Sequence, residues 1–325
     1  RGNRSSIWPF KVPLKEDEGE IIMNRGKPVT KVISDKKDMA EELNRTYAAV
    51  FTRDDPEKPI PDIRQKYDDE DPLTTVTYTE KNVFERLKKV RPSSAPGPDK
   101  MWPRILVLLA EYIAKPLARI FTASMNEGVV PKDWKESNIS PILKPQKPRH
   151  DPPSYRGVAM TSQVCKCMEG ITKDAILGHI EKHSLLSKHQ HGGRPGRSTL
   201  TNLLCWLEEL GERVDNGEPM DALYCDFLKA YDVVSHLKLK AKLEKRFGIH
   251  GKLLRWISEW LRARRQRVVI AGQASEWTDV LSSIIQGSVL SGILFLLYID
   301  DIEDELEEPI EMVPNQQSAE QTKSQ

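Results

Sequence analysis

Apolar residues recur at helical spacing along most of this chain, and that periodicity limits the fold more than any other feature. Met39, Leu43, Tyr47 and Val50 mark an amphipathic helix over Lys36 to Phe51. Val83, Leu87 and Val90 mark another, with Thr79 placed to cap it and "RPSSAPGPDKM" to end it. Ile105, Leu109, Ile113, Leu117 and Ile120 predict a long helix over 103–127, interrupted by Pro116 and stopped at Gly128. Further helices are predicted over 162–182, 198–215, 236–247 and 251–263. Strand patterns are short and few: "GEIIMNRGKPVTKVIS", the centre of "WKESNISPILKP", "MDALYCDF", and a hairpin around Gly272 in "RQRVVIAGQASEWTDVLSS". The pattern predicts an α+β, helix-rich fold with a small antiparallel sheet.

Composition narrows the class. The 325 residues are 38% hydrophobic and 30% charged, which suits one large or two ordinary globular domains. The longest apolar run, Gly292 to Ile299, falls far short of the roughly 18 residues of a membrane span, and no signal segment opens the chain. Cys165, Cys167, Cys205 and Cys225 are too sparse for a disulfide framework. An intracellular setting, cytoplasm or nucleus, with no membrane partner is expected. Cys165 and Cys167 with His179 and His183 were weighed as a zinc set. One residue between the cysteines is tighter than the usual spacing, so they read as ordinary helix residues.

The net charge of +1 conceals a strong asymmetry. Lys and Arg number 14 against 17 Asp and Glu over residues 1–80, 34 against 20 over 81–270, and 1 against 11 over 271–325. A basic middle block suits a phosphate backbone. Residues 52–76, with Pro56, Pro59, Pro61 and Pro72, read as poorly ordered, and 307–325 as a disordered acidic tail.

Chemistry concentrates in "YCDFLKAYDVVSH", where Asp226 closes a β pattern and Lys229, Tyr231 and Asp232 follow. A carboxylate at a strand end beside basic surface can hold a divalent metal for phosphoryl transfer, although alone it reads equally as a turn or cap residue.

Taken in order, "SSAPGPDKM", "VPKDWKESNISPILK", "PSYRGVAMTS", "LLSKHQHGGRPGRSTLTNLL", "YCDFLKAYDVVSH", "RRQRVVIAG" and "IIQGSVLSGILFLLYIDDI" resemble the successive blocks of the reverse transcriptase of non-LTR, LINE-type retrotransposons. The likeness runs from about Ile21 to Leu306. It implies right-hand polymerase fingers plus a partial palm over 79–306, preceded by an N-terminal linker or extension over 1–78. It further implies an RNA template, a DNA primer, deoxynucleoside triphosphates and Mg²⁺. Asp226 matches the metal-binding aspartate of the first palm motif, joined by the carbonyl of Phe227, and Tyr231 matches the bulky gate against a ribose 2′-hydroxyl. Lys144, with Lys135 as the alternative, and Arg156 fall in the finger blocks that meet the triphosphate. Gln286 and Gly287 match the loop beneath nucleotide and template, and Arg194 and Arg197 suit template backbone contact.

Within "LFLLYIDDIEDEL", Tyr298, Ile299, Asp300 and Asp301 imitate the metal-binding pair of template-copying polymerases. In the family this segment belongs to the helix after the Gln-Gly motif, and the catalytic Ala-Asp-Asp hairpin comes later. The spacing of Phe295, Ile299, Ile302 and Leu306 agrees, predicting a helix over Leu294 to Leu306. The resemblance therefore implies a domain truncated before Ala-Asp-Asp and inactive in nucleotidyl transfer. The alternatives are a non-catalytic nucleic-acid- or protein-binding module derived from such a domain, and an active polymerase that uses Asp300 and Asp301. The chain departs from the family at Gly193, Gly157, Ile285, Ser291 and Gly292.

Overall fold

The computed structural model describes residues 9–13, 21, 23–24, 27–28, 30–55, 57–68, 70–218 and 227–305. Short strands come first: β1 (Phe10–Pro13), β2 (Met23–Asn24), β3 (Lys27–Pro28) and β4 (Thr30–Ile33), with β1 antiparallel to β4 and β2 to β3. Helix α1 (Lys36–Ala48) starts where the Asp35 carboxylate accepts the amides of Lys37 and Asp38. Helix α2 (Glu80–Lys88) starts with a reciprocal capping box between Thr79 and Asn82. The predicted 103–127 helix is two helices, α3 (Pro103–Leu108) and α4 (Ala110–Glu127), because Leu109 leaves helical geometry at φ −93°, ψ 10°. Pro116 is exposed and sits within α4 without ending it.

Strands β5 (Glu136–Leu143) and β6 (Tyr155–Met160) pair antiparallel. The chain continues through α5 (Gln163–Lys182), α6 (Thr199–Asp215), α7 (His236–Lys245) and α8 (Gly251–Leu261). It then forms β7 (Arg264–Ile270), β8 (Gln273–Ala274) and β9 (Thr278–Val280), and ends its regular structure in α9 (Ser291–Ile299) with a 3₁₀ turn over Ile302–Glu305. The turn between β7 and β8 needs positive φ at both central residues, Ala271 at 49° and Gly272 at 86°, as a tight hairpin requires.

The main sheet runs β6-β5-β7-β8, with β9 also on β7. It is mixed rather than antiparallel throughout, since β5 and β7 are parallel from Glu136↔Arg265 to Ile139↔Val268. Parallel strands need a long crossover, and α5 to α8 supply it. Helix α1 covers one face: Met39 and Leu43 are fully buried, and Asn44 donates to the Glu276 carbonyl at 3.0 Å and Thr278 Oγ1 at 2.8 Å. The core continues through α2, α4, α5 and α8, where Trp256 and Trp260 are fully buried. Helix α6 leaves Leu200, Leu203, Leu204 and Leu207 exposed.

The Pro-rich stretch 52–76 is irregular but not loose, which corrects the expectation of poor order. Ile63, Tyr67 and Val76 are buried, and the backbone borrows partners from the α7–α8 connection: Tyr67 N–H to the Arg246 carbonyl at 3.1 Å, and Leu73 N–H to the Gly248 carbonyl at 3.0 Å. Isolated apolar anchors with borrowed hydrogen bonds order a chain without regular structure. The strand expected over 221–227 and the acidic tail from 307 onward fall outside the described residues, apart from Phe227. Among the described residues no helix is long and apolar enough to cross a membrane.

Candidate nucleotide and nucleic-acid site

Strands β5 and β6 carry Lys144 and Arg156 to the loop end of their hairpin. The Lys144 backbone N–H donates to the Ser154 carbonyl at 2.9 Å, and its ammonium donates to the Pro153 carbonyl at 3.0 Å. Burial holds the Lys144 pKa below the ordinary lysine value, and Arg156, Lys229 and Lys147 add to the effect by repulsion. Lys229, whose backbone takes the left-handed region at φ 53°, thus joins the finger cations from a distant part of the chain. The alternative, Lys135, is buried and ion-paired with Glu259, a structural position.

The Gln286–Gly287 loop docks on β6. The Ala159 N–H donates to the Gln286 carbonyl at 2.8 Å, and Gly287 has φ 121°. A Cβ at Gly287 would lie 2.5 Å from the Ala159 carbonyl oxygen, so only glycine allows this approach. The same loop meets the Tyr231 segment, where the Ile284 N–H donates to the Tyr231 carbonyl at 3.0 Å. The Tyr231 ring stacks on Phe295 of α9, with centroids 4.8 Å apart and planes 17° apart. Phe227, 56% exposed, meets the same Phe295 edge-on at 6.4 Å. Burial raises the Tyr231 pKa, which keeps the phenol neutral. Burial also raises that of Asp232, while Lys229 and Lys144 pull it back.

Lys144, Arg156, Lys229, Tyr231, Gln286 and Gly287 therefore share one region. Asp226 falls outside the described residues, so its geometry is not part of this arrangement. Arg194 and Arg197 stand on the loop before α6, which approaches α9 at Gly193, where a Cβ would lie 2.6 Å from Leu296 Cδ1. Arg194 forks onto Glu181 with two contacts of 3.0 Å and donates to the Ser187 carbonyl at 2.9 Å, while Arg197 donates to the Lys188 carbonyl. These bonds fix the loop from within.

Asp300 and Asp301 follow a helix, as their spacing predicts, although α9 stops at Ile299 and Leu306 is outside the described residues. The Asp300 side chain is fully buried and accepts from Arg246 Nε at 2.8 Å, Lys66 Nζ at 2.7 Å and the Ser187 N–H at 3.2 Å. Asp301 accepts from Lys242 Nζ at 2.6 Å, and Asp304 pairs with the same Arg246. Burial opposes the Arg246 charge, but Asp304 and Asp300 outweigh it and raise the guanidinium pKa. These carboxylates clamp α9 to α7. Among the described residues no three His, Cys, Asp or Glu side chains gather as a metal site. The cysteines and histidines weighed for zinc are occupied otherwise: Cys165 Sγ contacts Glu169, and His179 Nε2 lies 2.8 Å from the Phe247 carbonyl.

Residues 142–317 match the reverse transcriptase (RNA-dependent DNA polymerase) family. The chain belongs to that family. A "Probable RNA-directed DNA polymerase from transposon X-element" of Drosophila melanogaster is 28% identical over 220 residues, covering 68% of this chain and 24% of the relative. The "RNA-directed DNA polymerase from mobile element jockey" of the same organism is 28% identical over 232 residues, covering 71% and 25%. Its counterpart in Drosophila funebris is 28% identical over 231 residues. The chain thus spans about a quarter of the length of these relatives, and it is a reverse transcriptase domain of the LINE type. Family membership points to divalent-metal chemistry in general. Sequence reasoning found Phe295 only as an apolar helix position, not as the partner of Tyr231, and did not single out Glu169, which shares its buried helix side with Cys165 and Thr172.

Proposed function

We propose that this reverse transcriptase domain grips a deoxynucleoside triphosphate and an RNA template for RNA-directed DNA synthesis onto a DNA primer. The observation that carries this reading is the gathering of Lys144, Arg156 and Lys229 beside Tyr231 and the Gln286–Gly287 loop. Like charges repel, and although Asp151 and Asp232 lie within reach of this cluster, Lys144, Lys147, Arg156 and Lys229 outnumber them, an arrangement suited to an anionic ligand. Lys144 and Arg156 would bind the triphosphate, and Tyr231, held flat by Phe295, would exclude a 2′-hydroxyl. Arg194 and Arg197 keep a role in shaping the loop that meets the template backbone.

Asp226 and the Phe227 carbonyl would hold Mg²⁺, which when bound neutralises phosphate charge. Asp300, Asp301 and Asp304 do not complete such a site, since each is taken by Lys or Arg. No step is therefore assigned through it, and nucleotide and RNA binding by the 325-residue chain should outlast nucleotidyl transfer. Titration with labelled dTTP and UTP in Mg²⁺ tests the reading. Tighter binding of dTTP, loss of that binding in Lys144→Ala/Arg156→Ala, and loss of the sugar preference in Tyr231→Ala are expected. Undetectable binding of either nucleotide together with retained RNA affinity would favour the non-catalytic binding module.

A further inference from the structure

Resting on that reading of the Gln286–Gly287 loop, we infer that Glu169 is a positioning residue that holds the loop, and the first turn of α9, in its nucleotide-facing geometry. Glu169 sits in the middle of α5 with no solvent exposure. A buried carboxylate is costly unless hydrogen bonds surround it. Its Oε2 accepts from Ser288 Oγ at 2.8 Å and the Val289 N–H at 3.0 Å, both immediately beyond Gly287. Its Oε1 accepts from Trp260 Nε1 at 3.0 Å and Cys165 Sγ at 3.3 Å.

The two oxygens therefore divide the work. Oε1 is fixed by the helical core, through Trp260 of α8 and Cys165 of its own helix, and Oε2 reaches the loop. Ser288 passes the constraint on, since its Oγ also accepts the Leu290 N–H at 3.0 Å. The Leu290 carbonyl in turn accepts the Leu294 N–H at 3.2 Å, one residue before the Phe295 that backs Tyr231. On its other side the loop is held by Ala159 of β6. Core helix and finger strand thus grip the loop from two sides, and burial pushes the Cys165 thiol pKa well up, so that this partner stays a neutral donor.

The test compares the whole chain with Glu169→Gln and Ser288→Ala. Amide exchange over 284–290, dTTP affinity in Mg²⁺ and affinity for a single-stranded RNA oligonucleotide are measured together. A hydrogen bond to a charged group is worth enough that exchange over 284–290 should rise, and dTTP affinity fall, by about tenfold in each variant. RNA affinity and exchange over β5 should stay within about twofold, because those depend on other contacts. A general loss of stability would raise exchange everywhere and move both affinities together, which would overturn the inference. So would unchanged exchange over 284–290 in both variants. If Glu169→Gln does not fold, Ser288→Ala, which keeps the carboxylate, decides by the same readings. If the unaltered chain binds no dTTP, the nucleotide reading falls, and the exchange result still decides the role of Glu169.

Discussion

The loop end of the β5–β6 hairpin and the end of α9 both concentrate charge, and they do so in opposite ways. At the hairpin, Lys144, Arg156 and Lys229 stand together, with Asp151 and Asp232 near them, and the Lys144 ammonium donates to the Pro153 carbonyl. At the end of α9, each aspartate has a basic partner: Asp300 with Arg246 and Lys66, Asp301 with Lys242, and Asp304 with Arg246. Like charge in excess stores binding capacity, whereas matched opposite charge stores structure. By sequence the paired aspartates of the second region only imitate a catalytic pair, since their spacing reads as helical, while the resemblance puts Lys144 and Arg156 at the triphosphate. The geometry supplies the reason: those aspartates are taken by Arg and Lys.

Removing the cation at the hub of the paired region should have the largest effect. Arg246 and Asp300 are both fully buried, so Arg246→Met strands a buried carboxylate and should cost about 3–5 kcal/mol by chemical denaturation. A cost near zero would show that Asp300 is free to act elsewhere. At the hairpin the signs should reverse: Lys144→Ala/Arg156→Ala should leave stability unchanged or raise it slightly, while nucleotide affinity falls by tenfold or more, roughly one charge-assisted contact. The lowered Lys144 pKa adds a pH signature. Its ammonium loses its proton below the ordinary lysine value of 10.5, so dTTP affinity should fade before that pH is reached. The fading should vanish in Lys144→Arg, which stays charged. The smallest effect belongs to Asp301→Asn. That carboxylate is 31% exposed, and water screens its bond to Lys242, so the loss should stay under about 1 kcal/mol.

Much of the helical frame was legible because helix ends are local. Thr79 caps the helix it was expected to cap, and α9 follows its apolar spacing as far as Ile299, where the helix gives way to Asp300 and a 3₁₀ turn from Ile302. What was hidden depends on distant pairing. Nothing near Glu136 announces that its strand will run parallel to one beginning at Arg264. Nothing near Asp300 announces Arg246, 54 positions away. The stretch 52–76 looked disordered because its proline and acid content masked Ile63, Tyr67 and Val76 as anchors. Of the site, Gly287 was legible through its motif, and its φ of 121° and its approach to Ala159 supply the physical reason. Lys144 was separated from Lys135 only by the burial and pairing of the latter. Glu169 left a trace, an acid on an apolar helix face, that periodicity alone treats as noise.

The central claim, that Asp300 and Asp301 hold the fold and not a metal, is tested most directly by primer extension. The 325-residue chain is assayed on an RNA template with Mg²⁺ or Mn²⁺, alongside Asp226→Asn, Asp300→Asn and Asp301→Asn. The account predicts background extension in all four proteins, with denaturation showing a large stability loss for Asp300→Asn and a small one for Asp301→Asn. Template-dependent extension by the unaltered chain that disappears in all three variants would contradict it.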